Sequence, residues 1–149
     1  MWTPDELAVD IVRRLPIMGS VLEPCLGGGA FMRALEAQGH TVQWCEISQG
    51  VDFTKFQGQV DWIVTNPPWS KFAMFLEKSL QVADNIVFLV TWNHFTTKKR
   101  LRLIQQAGFW FREIRLIPTP SKECGWPQSG FQVCVVWLHR GFKGGTTIH

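Results

Sequence analysis

The sequence predicts an α/β fold of three layers, in which helices cover both faces of a mostly parallel sheet. Short apolar runs at residues 21–23, 60–65 and 86–91 alternate with segments whose apolar residues recur at helical spacing. A glycine-rich loop follows the first run, as in the opening of a βαβ unit. The last two predicted strands have no helix between them, so we expect an antiparallel hairpin at the end of the sheet.

Length and composition agree with a single globular domain over residues 1–149. Hydrophobic residues make up 46% of the chain and charged residues 18%, which excludes a disordered chain. The net charge of +3 permits contact with nucleic acid but lacks the strong basic excess of non-specific binders. Because the apolar runs are too short for a bilayer and residues 1–14 show no signal-peptide pattern, we expect a soluble, cytoplasmic protein without membrane contact.

The cysteines show no pattern typical of a metal site. No C-x-x-C pair occurs, and no histidine lies at metal-ligand spacing from a cysteine. We therefore expect no bound metal, and reduced, mostly buried thiols at Cys25, Cys45, Cys124 and Cys134.

The first half of the chain reads as helix, strand, helix and strand. Thr3 is the predicted N-cap and Pro4 the first helical residue, with acidic residues in the first turn. The predicted elements are, in order, a helix that ends before Pro16, a strand over 21–23, a helix over 31–38 and a strand over 40–46. Residues 47–59 offer only 51–53 as a short third strand, so this crossover is abbreviated.

The second half continues the alternation and then changes character. A central strand over 60–65, a helix from near 71 to 82 and a strand over 86–91 are followed by a helix over 98–107. Thr96 and Thr97 can cap that last helix, which is basic on its outer face. Two strands over 109–117 and 131–138 then flank a loop rich in proline and glycine, residues 118–130.

The glycine loop has the pattern Glu23-Pro24-x-x-Gly27-x-Gly29, with Phe31 at the start of the helix. It lacks the Lys-Ser/Thr ending of a phosphate-binding P-loop, and no third glycine completes G-x-G-x-x-G. Glycines let a ligand lie directly on the backbone, and the carboxylate favours a ligand with a cationic or hydroxylated end. The alternative is a tight turn without a ligand.

Two acidic positions follow at the ends of the next predicted strands. Glu46 lies about 20 residues after the loop, where an acid can accept both hydroxyls of a ribose. Asp52 can accept from the exocyclic amine of an adenine while Phe53 packs on the ring. A solvated aspartate beside a core phenylalanine is the alternative for this pair.

The tetrapeptide Asn66-Pro67-Pro68-Trp69 follows the central strand, at the sheet edge where open α/β sheets bind ligands. Two prolines fix the backbone and remove two donors, which leaves the Asn66 side chain and nearby carbonyls as acceptors in a stiff turn. These acceptors beside an indole suit a planar group that bears an NH2. A plain turn with a packing tryptophan is the alternative.

Together these motifs resemble class I S-adenosylmethionine-dependent methyltransferases, and more narrowly the amino-methyltransferases that carry an (Asp/Asn)-Pro-Pro-(aromatic) motif. DNA adenine-N6 methyltransferases are the largest group among them. The resemblance implies a Rossmann-like fold that binds S-adenosylmethionine at the segments just described and at Thr3-Pro4, with Asn66, Pro67, Pro68 and Trp69 as the catalytic motif. Gly130-Phe131-Gln132-Val133 resembles the final hairpin of that family.

The resemblance implies methyl transfer to N6 of adenine in DNA, with Trp69 stacked on a flipped base. The chain has no segment large enough for a separate target-recognition domain. We therefore expect the choice of target to depend on the loop over 118–130, on the rim near Trp92 and His94, or on a partner subunit or second copy. Lys122 and Trp126 in that loop are candidate substrate contacts, although Trp126 as cover for the core is the alternative.

Three other possibilities remain open at this point. The same tetrapeptide serves enzymes that methylate base amines in RNA and others that methylate a glutamine amide in proteins. A non-catalytic subunit that keeps the fold for binding is the third. Lys98, Lys99, Arg100 and Arg102 can contact phosphates, with a solvated helix face as the alternative.

Overall fold

The computed structural model describes residues 2–149 and confirms the predicted three-layer α/β architecture. Its four α-helices are α1 (Asp5–Arg13), α2 (Ala30–Ala37), α3 (Phe72–Val82) and α4 (Lys98–Gln106). Its seven described strands are β1 (Val21–Glu23), β2 (Val42–Trp44), β3 (Val60–Thr65), β4 (Ala83–Thr91), β5 (Phe109–Leu116), β6 (Val133–Arg140) and β7 (Thr147–Ile148).

The strands form one mixed sheet in the order β2-β1-β3-β4-β6-β5-β7. The first four in this order are parallel, and β6 is antiparallel to both β4 and β5. The predicted hairpin of β5 and β6 is therefore confirmed, with β6 on the inside. Because parallel strands end at one edge of a sheet, β1, β3 and β4 bring their carboxyl ends together at what we call the carboxyl edge.

Side chains alternate between two cores, one on each face of the sheet. Ile63 packs with helices α3 and α4, whereas Trp62 and Val64 pack with α1 and α2. All three are almost fully buried, and burial of each such side chain stabilises the fold by about 1.5–3 kcal/mol. The near-continuous apolar runs of β3 and β4 follow from this coverage of both faces.

The abbreviated crossover after β2 contains less structure than the sequence predicts. The strand ends at Trp44 rather than Glu46, since the Cys45 carbonyl accepts a hydrogen bond from the Leu26 backbone N–H in the loop after β1. The predicted strand over 51–53 is wrong: only Val51 forms an isolated bridge, to Glu46. Asp52 instead caps a short 3₁₀ turn, Phe53–Lys55, by accepting from the Thr54 backbone N–H.

Other boundaries differ by a few residues, mostly because tertiary pairing overrides local patterns. Pro4 is the N-cap of α1 rather than its first residue. Strand β4 begins at Ala83, since Ala83 already pairs with Val60 of β3. Strand β6 runs over Val133–Arg140, so Phe131 lies outside it. The sequence did not predict β7, a two-residue edge strand parallel to β5.

No helix within residues 2–149 is long and apolar enough to cross a membrane. Two of the four cysteines, Cys45 and Cys134, are buried, while Cys124 is exposed.

Candidate functional site

Glu23 ends β1 at the base of the candidate site and is only 1% exposed. One carboxyl oxygen accepts from the Cys25 backbone N–H at 2.9 Å. Burial raises the pKa of Glu23 to about 8. The nearby Thr65 hydroxyl and the hydrogen bond from Cys25 lower this pKa by less than burial raises it, and the negative charge of Glu46 raises it further. The Thr65 hydroxyl is close but makes no well-formed hydrogen bond. Glu23 is therefore mostly protonated at pH 7.

The raised pKa of Glu23 predicts a pH-dependent stability. Between pH 4.5, the ordinary pKa of a glutamate, and about pH 8, the folded protein keeps a proton that the unfolded chain releases. Its contribution to the free energy of unfolding is therefore largest below pH 4.5 and falls by on the order of 3–5 kcal/mol as the pH rises to about 8. Denaturant titrations across this range should show that the difference in stability between wild type and Glu23→Gln falls with rising pH.

Glu46→Gln provides the matched control for this experiment. Hydrogen bonds from Gly27 and Ser48 outweigh the opposing effect of burial and hold the pKa of Glu46 below its usual value. Its contribution should therefore be lost as the pH falls, the opposite sign to Glu23. A difference between wild type and Glu23→Gln that does not change with pH would contradict the buried, protonated carboxyl group.

The glycine loop adopts the backbone that its glycines permit. Gly27 and Gly29 have φ of 53° and 82°, in the left-handed region that other residues rarely enter. A Cβ on Gly28 would clash with the Trp2 ring, which lies against the loop. Arg33 holds the loop to α1, because its guanidinium donates to the Gly28 carbonyl and to the Asp5 carboxylate at 2.6 Å each.

Glu46 lies beside the same loop, at the carboxyl edge beyond β2. Its Oε2 accepts from the Gly27 backbone N–H at 2.8 Å, and its Oε1 accepts from the Ser48 hydroxyl at 2.9 Å. These bonds fix the carboxylate without using all its lone pairs. Asp52 is partly exposed, and hydrogen bonds from the Thr54 hydroxyl and backbone N–H keep the pKa of Asp52 below its usual value. Phe53 is buried, and its ring stacks on Phe75.

Asn66 is the first residue of the turn after β3, residues 66–69, which we call the acceptor turn. Its side-chain Nδ2 donates to the Thr3 hydroxyl oxygen at 3.1 Å. Its Oδ1 is buried and has no hydrogen-bond partner among residues 2–149. A buried amide oxygen without a partner costs free energy, so this acceptor is costly for stability alone and suits a ligand that donates to it.

Two adjoining cavities join these groups into one cleft along the carboxyl edge. The larger, of about 240 Å³, lies between the glycine loop and the acceptor turn. Its lining includes Trp2, Thr3, Glu23, Gly27, Gly28, Phe31, Asn66, Pro67 and Pro68. The smaller, of about 50 Å³, is lined by Pro24, Glu46, Ile47, Asp52, Phe53 and Lys71 among others. Cys25 and Pro68 line both, so the structure brings most of the predicted cofactor residues together.

Trp69, the last residue of the acceptor turn, packs against Trp126, and neither residue lines the two cavities. Their ring centroids lie 5.7 Å apart in an edge-on arrangement, and His94 lies 5.7 Å from Trp69 on another side. Only 2% of Trp126 is exposed, so this candidate substrate contact does not present its ring to solvent. Its position matches the alternative, in which Trp126 covers the core. The indole nitrogens of both tryptophans are buried without an acceptor among residues 2–149.

His94 belongs to the 3₁₀ turn Trp92–Phe95 after β4, which we call the rim turn. Its Nδ1 lies 2.9 Å from the Thr91 hydroxyl oxygen. Burial lowers the pKa of His94, so the ring is neutral at pH 7. Trp92 packs against Phe95 and Phe111 rather than facing the cleft.

Two further predicted site residues, Pro4 and Lys122, lie apart from the cleft lining. Pro4 precedes α1 and lines neither cavity. Lys122 is exposed in the loop between β5 and β6. Phe131, which the sequence placed in a strand, is 55% exposed where this loop returns to the carboxyl edge, and the next residue accepts from the Trp92 backbone N–H at 2.8 Å. The glycine before Phe131 was the only local signal for a turn there.

Within residues 2–149, no group of three or more His, Cys, Asp or Glu side chains could hold a metal ion.

Comparisons with known proteins identify the fold. No family model matches the chain, and no curated protein is similar to it in sequence. Among solved structures, a chain of a type I R-M system matches with a TM-score of 0.69 and 14% identity, over 97% of this chain and 43% of that one. The 23S rRNA methyltransferase ErmE matches with a TM-score of 0.60 and 13% identity, over 95% of this chain and 72% of that one.

A TehB-like SAM-dependent methyltransferase from Corynebacterium glutamicum is also similar, with a TM-score of 0.58 and 16% identity, over 89% of this chain and 86% of that one. The predicted Rossmann-like fold of class I methyltransferases is therefore confirmed. At these identities the similarity concerns the fold, and the chain spans less than half of the R-M system chain.

Proposed function

We propose that the protein is an S-adenosylmethionine-dependent methyltransferase that acts on an exocyclic amine of a nucleic-acid base, with N6 of adenine in DNA as the specific target. The observation that carries this proposal is the Oδ1 of Asn66, which is buried and has no hydrogen-bond partner within residues 2–149. Asn66 lies in a turn without competing backbone donors from Pro67 and Pro68, and it lines a cleft that begins at a glycine loop.

The cleft fits the proposed cofactor at both ends. A cationic amine near Glu23 would favour the ionised carboxylate, so binding at pH 7 should release a proton from this buried group. Glu46 keeps acceptor capacity for ribose hydroxyls, and Asp52 beside Phe53 in the smaller cavity offers an acceptor and an aromatic edge for an adenine. The glycine loop lets the ligand approach the backbone.

The residues of the acceptor turn would orient the substrate amine. When bound, S-adenosylmethionine supplies a methyl group on a sulfonium centre that needs no further activation. Asn66 Oδ1 and the Pro67 carbonyl would accept hydrogen bonds from the two N–H groups of the amine, which turns the nitrogen lone pair towards the cleft. Once the nitrogen has gained the methyl group and the sulfur is left as a thioether, the amine would lose one of these protons to solvent. Proximity and alignment then supply most of the rate acceleration. Thr3 would keep the Asn66 amide in the orientation that presents oxygen to the substrate.

The aromatic surfaces at the carboxyl edge support a planar substrate. Trp69 can present the edge or face of its ring from the acceptor turn, and the buried Trp126 packs against this ring. The exposed Phe131 offers a second ring near the rim turn, which Trp126 cannot do from its buried position. Selection of the target sequence would then fall to the loop that contains Lys122, or to a partner subunit or second copy.

An RNA base is the second candidate substrate, since one structure with this fold is a 23S rRNA methyltransferase. The acceptor turn recognises an amine and is compatible with either polymer. Discrimination between deoxyribose and ribose would depend on contacts elsewhere on the protein surface.

A methyl-transfer assay tests the proposal. Purified protein is incubated with tritiated S-adenosylmethionine and, separately, with duplex DNA, single-stranded DNA, RNA and cell protein. We expect label in DNA, and digestion should yield N6-methyladenine. Label in RNA alone would replace the DNA assignment, and label in protein alone would remove the nucleic-acid assignment. If calorimetry shows no binding of S-adenosylmethionine at millimolar concentration, the protein is not a methyltransferase that uses this cofactor.

A further inference from the structure

Helix α4 carries four cations in five residues, Lys98, Lys99, Arg100 and Arg102. None of them forms an ion pair with a carboxylate in residues 2–149, whereas four other arginines each do. The first turn of α4 contains no acidic residue. No other five-residue stretch of the sequence holds four cations, and the proposed transfer chemistry does not use these.

The arrangement is unfavourable for the helix on its own. Cations in the first turn oppose the helix macrodipole, and Lys98 and Arg102 repel each other as an i, i+4 pair. Thr97 caps the helix by accepting from the Arg100 backbone N–H, but this bond does not reduce the repulsion. Cations in the first turn of a helix, against this local preference, are expected where the surface binds a partner of opposite charge.

Three of these cations, Lys99, Arg100 and Arg102, line a groove of about 730 Å³ between α3 and α4. Ala73, Leu76 and Glu77 line it from α3, and Lys99, Arg102 and Leu103 line it from α4. Glu77 is the only acidic residue in this lining, so the groove has a net positive charge. We call this feature the α4 groove.

The first residues of the two chain segments that line the α4 groove, Ala73 and Thr97, follow shortly after the acceptor turn and the rim turn. Helix α3 starts at Phe72, three residues after Trp69, and α4 starts three residues after the rim turn ends. Arg100 connects α4 to the rim turn and to the start of α3, because its guanidinium donates to the His94 carbonyl at 2.8 Å and lies 5.1 Å from the centre of the Phe72 ring. A chain leaving the acceptor turn can therefore continue directly onto the exposed cations of α4.

We propose that the α4 groove binds the phosphodiester backbone of the nucleic-acid strand whose base is presented to Asn66. The inference rests on the proposed function and assigns its substrate a contact surface. Unpaired cations in a row match the regular negative charges of a phosphate backbone. An acidic amphipathic helix of a protein fits less well, because the apolar floor is short and Leu76 within it is fully buried.

Fluorescence anisotropy with labelled oligonucleotides tests this surface without cofactor. Single-stranded DNA, duplex DNA and RNA of equal length are titrated with wild type, Lys99→Glu/Arg102→Glu and the control Arg13→Glu/Lys143→Glu. The control makes the same change in net charge at exposed positions away from the groove. We expect the α4 variant to bind at least ~10-fold more weakly and to lose about two units of the salt-dependence slope. The control should bind like wild type.

Calorimetry with S-adenosylmethionine separates this inference from the proposed function. Both double variants should bind the cofactor like wild type, since the changed residues lie outside the cleft. Equal weakening of oligonucleotide binding in both variants would overturn the inference, as would binding of polyglutamate but of no oligonucleotide. Cofactor binding without any oligonucleotide binding would also overturn it and leave the cofactor site standing. Loss of cofactor binding in wild type would instead remove the proposed function.

Discussion

Replacement of Asn66 with alanine should lower the rate of methyl transfer by about 100- to 1,000-fold, which corresponds to about 3–4 kcal/mol of transition-state stabilisation. The substitution removes the buried Oδ1 that has no partner among residues 2–149 and leaves the glycine loop, Glu23 and Glu46 in place. Cofactor affinity should therefore change little. Single-turnover transfer and calorimetry on the same preparation measure the two effects separately.

Asn85→Ala is the matched control for Asn66→Ala. Asn85 is also a partly buried asparagine, but its Nδ2 donates to the Asp61 carbonyl at 3.1 Å and its Oδ1 accepts from the Trp137 indole at 3.0 Å. Its loss should lower the melting temperature without changing transfer per folded molecule. If Asn66→Ala lowers cofactor binding as much as transfer, the acceptor turn has a structural role and the proposed mechanism is wrong.

The parts of the site that the sequence predicted well are those governed by local rules. Strands β1 and β3 end at the predicted residues, since Glu23 and Thr65 are followed by proline-containing turns that stop a strand. Gly27 and Gly29 need positive φ, which only glycine adopts without strain. Parallel strands then bring these ends to one edge without further information.

The parts that the sequence did not predict depend on contacts between distant residues. The bond between Thr3 and Asn66 spans 63 positions, so no local pattern indicates it. Trp126 lies in a segment rich in proline and glycine that reads as an open loop, yet tertiary packing buries it against Trp69. The protonation of Glu23 likewise follows from its complete burial, which the position of a glutamate at a strand end does not reveal.

Thr3 was predicted as a cofactor contact, and its bond to Asn66 gives it a second role that mutagenesis can isolate. Both roles are possible for a residue that lines the larger cavity. A cofactor contact would change affinity, whereas a positioning residue would change the rate of transfer through Asn66. The shape of valine matches that of threonine and removes only the hydroxyl, which makes Thr3→Val the informative substitution.

Thr3→Val should lower methyl transfer by about 10- to 100-fold with a smaller change in cofactor affinity, because the freed Asn66 amide can present its NH2 to the substrate amine. Thr3→Ser should restore the rate, and Thr41→Val, at an exposed threonine, should change neither quantity. In the Asn66→Ala background, Thr3→Val should have no further effect, since the group that it orients is gone. Effects that multiply in the double variant would instead mean that Thr3 acts independently of Asn66.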